Sequence, residues 1–118
     1  MIQYIQCIKA REGMAILDFR EHFRVYADKM RVLGKAVGAI KVEASTTLAV
    51  ADNLQVMSDR GTKAPYDAVL EVYLPNARAL EALDAPDMQA RVEDFQAYQE
   101  SFIDLHGSSF FFATVEDD

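Results

Sequence analysis

The segment over residues 109–115 has the alternation of a strand but is apolar on both of its faces. A strand sends successive side chains to opposite sides. Phe110 and Phe112 therefore share one face, and the other face carries Phe111, Ala113 and Val115. Each face needs a cover that excludes water. A chain of 118 residues can cover one face with its own helices, and a second copy of the protein is the simplest cover for the other.

Hydrophobic periodicity predicts the order of the other elements. They are a strand over 2–9, a helix over 15–33 capped by Gly34, a strand over 39–45, a strand over 66–74, a short helix over 75–83 and a longer helix that restarts near Pro86 and ends by Gly107. With the last strand, the order is β-α-β-β-α-β, the ferredoxin-like arrangement. We therefore expect one α+β domain over 1–118, with a four-stranded antiparallel sheet and its helices on one face.

The stretch 46–62 is an insertion between the second and third strands and is too long for a bare hairpin loop. Leu48, Ala51, Leu54 and Met57 recur there at helical spacing, and Gly61 follows. This pattern predicts a short helix. Because long ordered connections are often functional, we expect it to form a lid beside a ligand pocket.

The third strand separates two sets of side chains. Ala68, Leu70, Val72 and Leu74 form an apolar face for the helices, and the opposite face carries Asp67, Val69, Glu71 and Tyr73. The bare face predicts a homodimer through the sheet faces, with Phe110 or Phe112 at or near the interface. Asp67 and Glu71 then point between the sheets, which makes them candidate catalytic groups. They lie roughly 13 Å apart at about 3.3 Å per residue, too far to act together in one protomer. The alternative is that Glu71 pairs with the dimer partner or with a solvated group at the rim.

The charge and the apolar content of the chain argue against some classes of partner. Twelve Lys and Arg against 19 Asp and Glu give a net charge of −7, which argues against a nucleic acid or an anionic membrane as partner. No apolar run approaches the roughly 20 residues of a membrane helix, and the first residues lack the features of a signal peptide. We expect a cytoplasmic protein.

The histidines supply the remaining candidates for proton transfer. His22 lies within one turn of Asp18 and Tyr26 on the first helix, so it is a candidate general base oriented by Asp18. A surface histidine beside an acidic neighbour is the alternative. One cysteine and no closely spaced histidine pair argue against a metal site, and no phosphate-binding glycine motif is present. We expect no cofactor.

Aromatic side chains near the first helix predict the ligand site. Phe19, Phe23 and Tyr26 on that helix, with Tyr66 at the start of the third strand, are expected to line a pocket for a small apolar molecule. The candidates for chemistry near that pocket are His22, Asp67 and Glu71.

Short motifs spread over nearly the whole chain resemble the EthD family of dimeric α+β barrel proteins. The motifs comprise Tyr4, Ile5, Gln6, Arg11, Gly13, Phe19, Phe23, Asn53, Leu54, Arg60, Gly61, Pro65, Tyr66, Asp67, Val69, Glu71, Val72, Phe102, Ile103 and Asp104. The resemblance implies a ferredoxin-like protomer whose sheet closes into a barrel across a dimer. It also implies a role in bacterial catabolism or secondary metabolism, on a small apolar, aromatic or lactone-like molecule.

One departure from the family pattern bears on mechanism. Phe23 stands where many members have Trp, and Ala27 stands four residues later where they have His. A mechanism that depends on that histidine does not carry over. Two functions stay open: a cofactor-independent isomerase, lyase, cyclase or monooxygenase-like enzyme, and a non-catalytic binding or accessory protein with the same pocket.

Overall fold

A computed structural model describes residues 1–116. The elements in chain order are β1 (Ile2–Ile8), α1 (Ile16–Ala36), β2 (Lys41–Thr46), α2 (Ala51–Arg60), β3 (Ala68–Leu74), α3 (Arg78–Leu83), a 3₁₀ turn (Pro86–Met88), α4 (Gln89–Phe102) and β4 (Ser109–Thr114). The predicted β-α-β-β-α-β order is confirmed, with α2 as the insertion between β2 and β3.

The four strands form one antiparallel sheet in the order β2-β3-β1-β4. In β3, Ala68, Leu70, Val72 and Leu74 are all buried, as predicted, because α1 and α4 cover this face. We call the opposite side, which no helix within residues 1–116 covers, the open face. The ferredoxin-like α+β fold is therefore confirmed.

Helix α1 buries the predicted apolar stripe but ends later than expected. The stripe consists of Phe19, Phe23, Tyr26, Ala27, Met30 and Leu33. Gly34 is not the cap: it lies inside the helix, where a Cβ atom would be 3.0 Å from Val42 Cγ2. Its missing side chain lets α1 approach β2 closely. The turn instead uses Gly38, whose φ of +80° favours glycine.

Helix α2 confirms the short helix predicted in the insertion. Gly61 follows it in the left-handed conformation, with a φ of +65°, as expected for a helix C-terminal cap. None of the residues of α2 is buried, and Leu54 and Val56 are exposed. The helix therefore forms without joining the core.

The facing of β4 corrects one prediction. Phe110 and Phe112 pair with Gln6 and Tyr4 of β1 on the helix-covered side, and the Phe112 ring stacks on the Tyr4 ring at 4.5 Å. Assigning Phe110 or Phe112 to the open face is therefore wrong, because the register with β1 places both on the helix-covered side, where Phe112 is still 51% exposed. A place for either residue near the dimer interface stays a prediction. The open face carries Phe111, which is 43% exposed.

Truncation of Phe19 should separate core from surface contributions. Phe19 is fully buried and its ring lies 5.8 Å from that of Phe102, so Phe19→Ala should lower the free energy of unfolding by about 3–5 kcal/mol. Leu17, on the exposed side of the same helix, is the control, and Leu17→Ala should change it by less than about 0.5 kcal/mol. Urea unfolding measures both. Equal losses would contradict the described packing of α1.

Candidate functional site

A cleft of about 300 Å³ lies between the helix-covered face of the sheet and the helices. The sheet contributes Tyr4, Gln6, Val72, Leu74, Phe110 and Phe112. The helices and the residue after α3 contribute Tyr26, Met30, Leu33, Gly34, Val37, Leu83, Asp84, Val92, Gln96 and Gln99. We call this the Tyr26 cleft. Its size and mostly apolar lining are those of a small-molecule site.

A chain of hydrogen bonds crosses the wall of the Tyr26 cleft. The Tyr26 hydroxyl donates to Gln6 Oε1 at 2.7 Å, and Gln99 Nε2 donates to the Tyr26 hydroxyl at 2.8 Å. Gln6 is 1% exposed and the Tyr26 side chain is fully buried. Buried polar groups require such partners. The chain joins β1, α1 and α4 at one point.

The phenols of the cleft are neutral near pH 7. Burial raises the pKa of Tyr26 to about 12, and its hydrogen bonds with Gln99 and Gln6 act in the opposite direction without reversing the shift. Burial also raises the pKa of Tyr4, against a hydrogen bond with Gln6. Neither hydroxyl is a base under these conditions. The Tyr4 hydroxyl and the neighbouring amides can instead hold a ligand oxygen through neutral hydrogen bonds, while the Tyr26 hydroxyl is already bonded to Gln6 and Gln99.

Of the four aromatic residues predicted to bind ligand, only Tyr26 lines the cleft. Phe19 and Phe23 are buried in the core, with 0% and 3% of their surfaces exposed. Tyr66 lies just before β3 and is exposed, and its carbonyl accepts a hydrogen bond from Thr47 Oγ1. The ligand-binding roles of these residues stay predictions.

The side chain of His22 projects from α1 and packs against α4, and His22 is not among the residues that line the cleft. Its Nδ1 atom is 3.2 Å from the Tyr98 hydroxyl oxygen, and its ring stacks on Phe102 with centroids 5.9 Å apart. The Tyr98 hydroxyl also donates to the His22 carbonyl at 3.4 Å. These contacts give His22 a packing role between the helices, and its catalytic role stays a prediction.

The two candidate carboxylates lie away from the cleft and from each other. Asp67 Oδ2 accepts a hydrogen bond from the Ala10 amide at 2.7 Å and lies 4.0 Å from Lys9 Nζ. It therefore fixes the chain at the end of β1.

Glu71 lies on the open face opposite Glu43 of β2 and accepts a hydrogen bond from the Tyr73 hydroxyl at 3.1 Å. The structure thus brings none of His22, Asp67 and Glu71 into the Tyr26 cleft.

The insertion leaves the sheet at the end away from this cleft, and its role as a lid beside a ligand pocket stays a prediction. The chain leaves the sheet at the end where the Thr47 amide donates to the Asp67 carbonyl. The cleft lies toward the other end, beside Val72 and Leu74, and no residue over 46–62 lines it.

Gln6 and Gln99 are the site residues that the sequence did not indicate. Amide side chains do not transfer protons, so neither residue was a candidate for that chemistry, although Gln6 is one of the residues that carry the EthD resemblance. One signal was present: Gln6 alternates with Tyr4 and Ile8 on the side of β1 that faces the helices. A polar residue in a buried set needs a partner.

Within residues 1–116, no group of three or more His, Cys, Asp or Glu side chains is arranged to hold a metal ion. In the same part of the chain, no helix has the length and apolar character needed to cross a membrane. The cytoplasmic location and the lack of a cofactor stay predictions from the sequence.

Comparison with known proteins identifies the fold. No protein-family model and no curated protein sequence matches the chain. Among solved structures, it is similar to an EthD family protein from Bacillus halodurans, with 14% identity and a TM-score of 0.64 over 98% of this chain and 99% of that one. A dimeric ferredoxin-like protein of unknown function from Bacteroides fragilis has 9% identity and a TM-score of 0.61, over 97% and 95%.

A third similar structure is SnoaB, a cofactor-independent oxygenase from Streptomyces nogalater. It has 12% identity and a TM-score of 0.55, over 99% of this chain and 94% of SnoaB. At these identities the likeness concerns the fold. The fold that the resemblance to the EthD family implied is therefore confirmed.

Ionisation of Tyr26 can be followed by absorbance at 295 nm. We expect Tyr26 to ionise near pH 12, so Tyr26→Phe should reduce the absorbance change in that range by the contribution of one tyrosine. Tyr66→Phe, at an exposed position, should leave the change near pH 12 as it is in the wild type. An equal change near pH 12 in Tyr26→Phe and in the wild type would contradict the described burial.

The same shift predicts a loss of stability in alkali. The pKa of Tyr26 is raised from 10.0 to about 12 on folding, so the native state keeps a proton that the unfolded state releases in this window. Stability from Tyr26 is therefore full below pH 10 and falls toward pH 12, by about 3 kcal/mol. Urea unfolding at pH 9 and pH 11 should show a smaller fall for Tyr26→Phe than for the wild type.

Proposed function

We propose that this protein is an EthD-like homodimer that binds a small, mostly apolar molecule carrying at least one hydrogen-bonding oxygen in the Tyr26 cleft. The hydrogen-bonded chain of Gln6, Tyr26 and Gln99 on an otherwise apolar wall carries the proposal. Small-molecule sites combine apolar walls with a few polar groups that fix orientation.

The amides have capacity left for a ligand. A glutamine side chain offers two N–H donors and a carbonyl acceptor, and Gln99 uses one N–H on Tyr26. Gln96 lies one helical turn before Gln99 and lines the same cleft. A carbonyl or hydroxyl oxygen on the ligand is therefore matched at this wall, whereas an anionic group would meet no positive charge among the lining residues of the described chain.

Cofactor-independent catalysis is the second candidate function. SnoaB, which has a similar fold, is described as a cofactor-independent oxygenase. Neutral donors stabilise negative charge that develops on a carbonyl oxygen in a transition state. The Tyr4 hydroxyl and the N–H groups of Gln96 and Gln99 not used within the protein are such donors, whereas the Tyr26 hydroxyl already donates to Gln6. The cleft would then suit isomerase, lyase, cyclase or monooxygenase-like chemistry that develops negative charge on a substrate oxygen.

The open face supports the homodimer. Phe111 of β4 lies directly opposite Ile5 of β1, and Val69 of β3 lies opposite Cys7 of β1, with Ala113 on the same side. The similar proteins from Bacteroides fragilis and Thermobifida fusca are described as dimeric. Burying one large apolar side chain contributes roughly 1.5–3 kcal/mol, so covering this face with a second copy is favourable.

Ligand binding is tested with prodan, a neutral naphthalene ketone whose emission shifts to the blue in apolar surroundings. We expect a saturable shift for the wild type. Val92→Trp places a large ring in the cleft and should weaken binding at least about tenfold, since the ligand and the indole compete for the same volume. Val25→Trp is the control, because Val25 is exposed on α1 outside the cleft lining. Equal binding by both variants would overturn the proposed site.

Turnover separates the two candidate functions. Each ligand that binds is incubated with the protein in air, without added metal or cofactor, and the mixture is examined by mass spectrometry. A product that forms with wild type and not with Val92→Trp supports the enzyme. Ligands recovered unchanged support the binding protein.

The dimer is tested by sedimentation at micromolar concentration. We expect the wild type to be a dimer and Phe111→Glu to be a monomer, because the substitution places a charge in an apolar interface. Leu17→Glu, at a position 70% exposed on α1, should remain a dimer. A monomeric wild type would overturn this part of the proposal.

A further inference from the structure

A second, more exposed cavity adjoins the Tyr26 cleft. This cavity has a volume of about 340 Å³ and shares Leu83, Asp84, Val92 and Gln96 with the cleft. Gln89 and Glu93 complete it. The shared residues place the carboxylates of Asp84 and Glu93 beside the apolar cleft. We call this second cavity the mouth.

The charges at the mouth have one sign. Asp84 and Glu93 are exposed, and in the described part of the chain neither belongs to an ion pair. Lys29 and Arg91 line a different cavity, formed on the neighbouring side of α4 together with Asp94. The net charge of −7 adds to the same field.

From this arrangement we propose that the mouth selects ligands by charge: the preferred ligand is an apolar, ring-bearing molecule that carries a protonated amine in addition to its hydrogen-bonding oxygen, and carboxylates of the same shape are rejected. This inference rests on the proposed function, because it assigns the ligand class of the same cleft. The ring occupies the cleft beside Tyr26, and the ammonium group lies between Asp84 and Glu93.

The size of the preference follows from the exposure of the two carboxylates. An exposed ion pair changes a binding affinity by a small factor. The two carboxylates attract a cationic ligand and repel an anionic one, so both effects separate the two affinities. We therefore expect about a tenfold difference between ligands of the same shape at low salt. Screening should reduce this difference at high ionic strength.

The test uses three naphthalene ligands of similar shape: naphthylmethylamine, naphthylmethanol and naphthoate. Direct calorimetric titration gives each affinity without a competing dye. The amine should bind about tenfold more tightly than naphthoate at low salt, with the alcohol between them, and the gap should narrow in high salt.

Paired variants locate the effect. The double variant Asp84→Asn, Glu93→Gln should reduce the amine-to-carboxylate ratio to about twofold and leave the affinity for naphthylmethanol unchanged. The double variant Asp87→Asn, Asp94→Asn removes the same charge at positions outside the cleft and mouth and should keep most of the wild-type ratio.

Each outcome decides a separate question. Equal affinity of the wild type for amine and carboxylate overturns the charge selection and leaves the proposed cleft in place. If both double variants reduce the ratio of amine affinity to carboxylate affinity equally, the preference comes from the net charge of the protein, and the role of the mouth is overturned. Absence of binding by all three ligands and by prodan overturns the proposed function as well.

Discussion

The hydroxyl of Tyr26 is the point where three layers of the molecule are tied together. It donates to Gln6 on β1 and accepts from Gln99 on α4, while the ring belongs to the core of α1. A buried hydroxyl without partners would be strongly unfavourable. The spacing of sheet and helices is therefore set by these two bonds, and the cleft is the space left beside them. Aromatic contacts of Tyr26 with Phe95 and Phe102 complete the attachment of α4.

The order of the helices and strands was predictable because each element has a regular hydrophobic pattern in the sequence. The alternation in β3 fixed which of its side chains are buried, and the stripe on α1 did the same for the helix. The facing of β4 was not predictable, because a strand that is apolar on both sides gives no sign of which side faces inward. Pairing with β1 decides which side faces inward: Phe112 lies opposite Tyr4, and Tyr4 lies on the side covered by the helices. The prediction that Gly34 caps α1 was wrong for a similar reason. The position of Gly34 depends on its contact with Val42 of β2, and the sequence around Gly34 does not show that contact.

The site was less predictable than the fold because it is assembled across elements. Tyr26 was found as a member of an apolar stripe, but its partners lie 20 residues before it and 73 residues after it. His22 was chosen for its chemistry, and the helix turns it toward Tyr98 and Phe102 instead of the cleft. Residue type indicates what a side chain can do. Its position around the helix decides whether it meets a ligand.

The lack of buried side chains in α2 has a consequence for how the chain can vary. The core gains nothing from this helix, so α2 can open by breaking only its own backbone hydrogen bonds, in a local event separate from global unfolding. Its amides should thus exchange with solvent independently of the strands. Selection on the stability of the sheet therefore acts weakly on this stretch, which leaves it open to changes in length, sequence and eventual role.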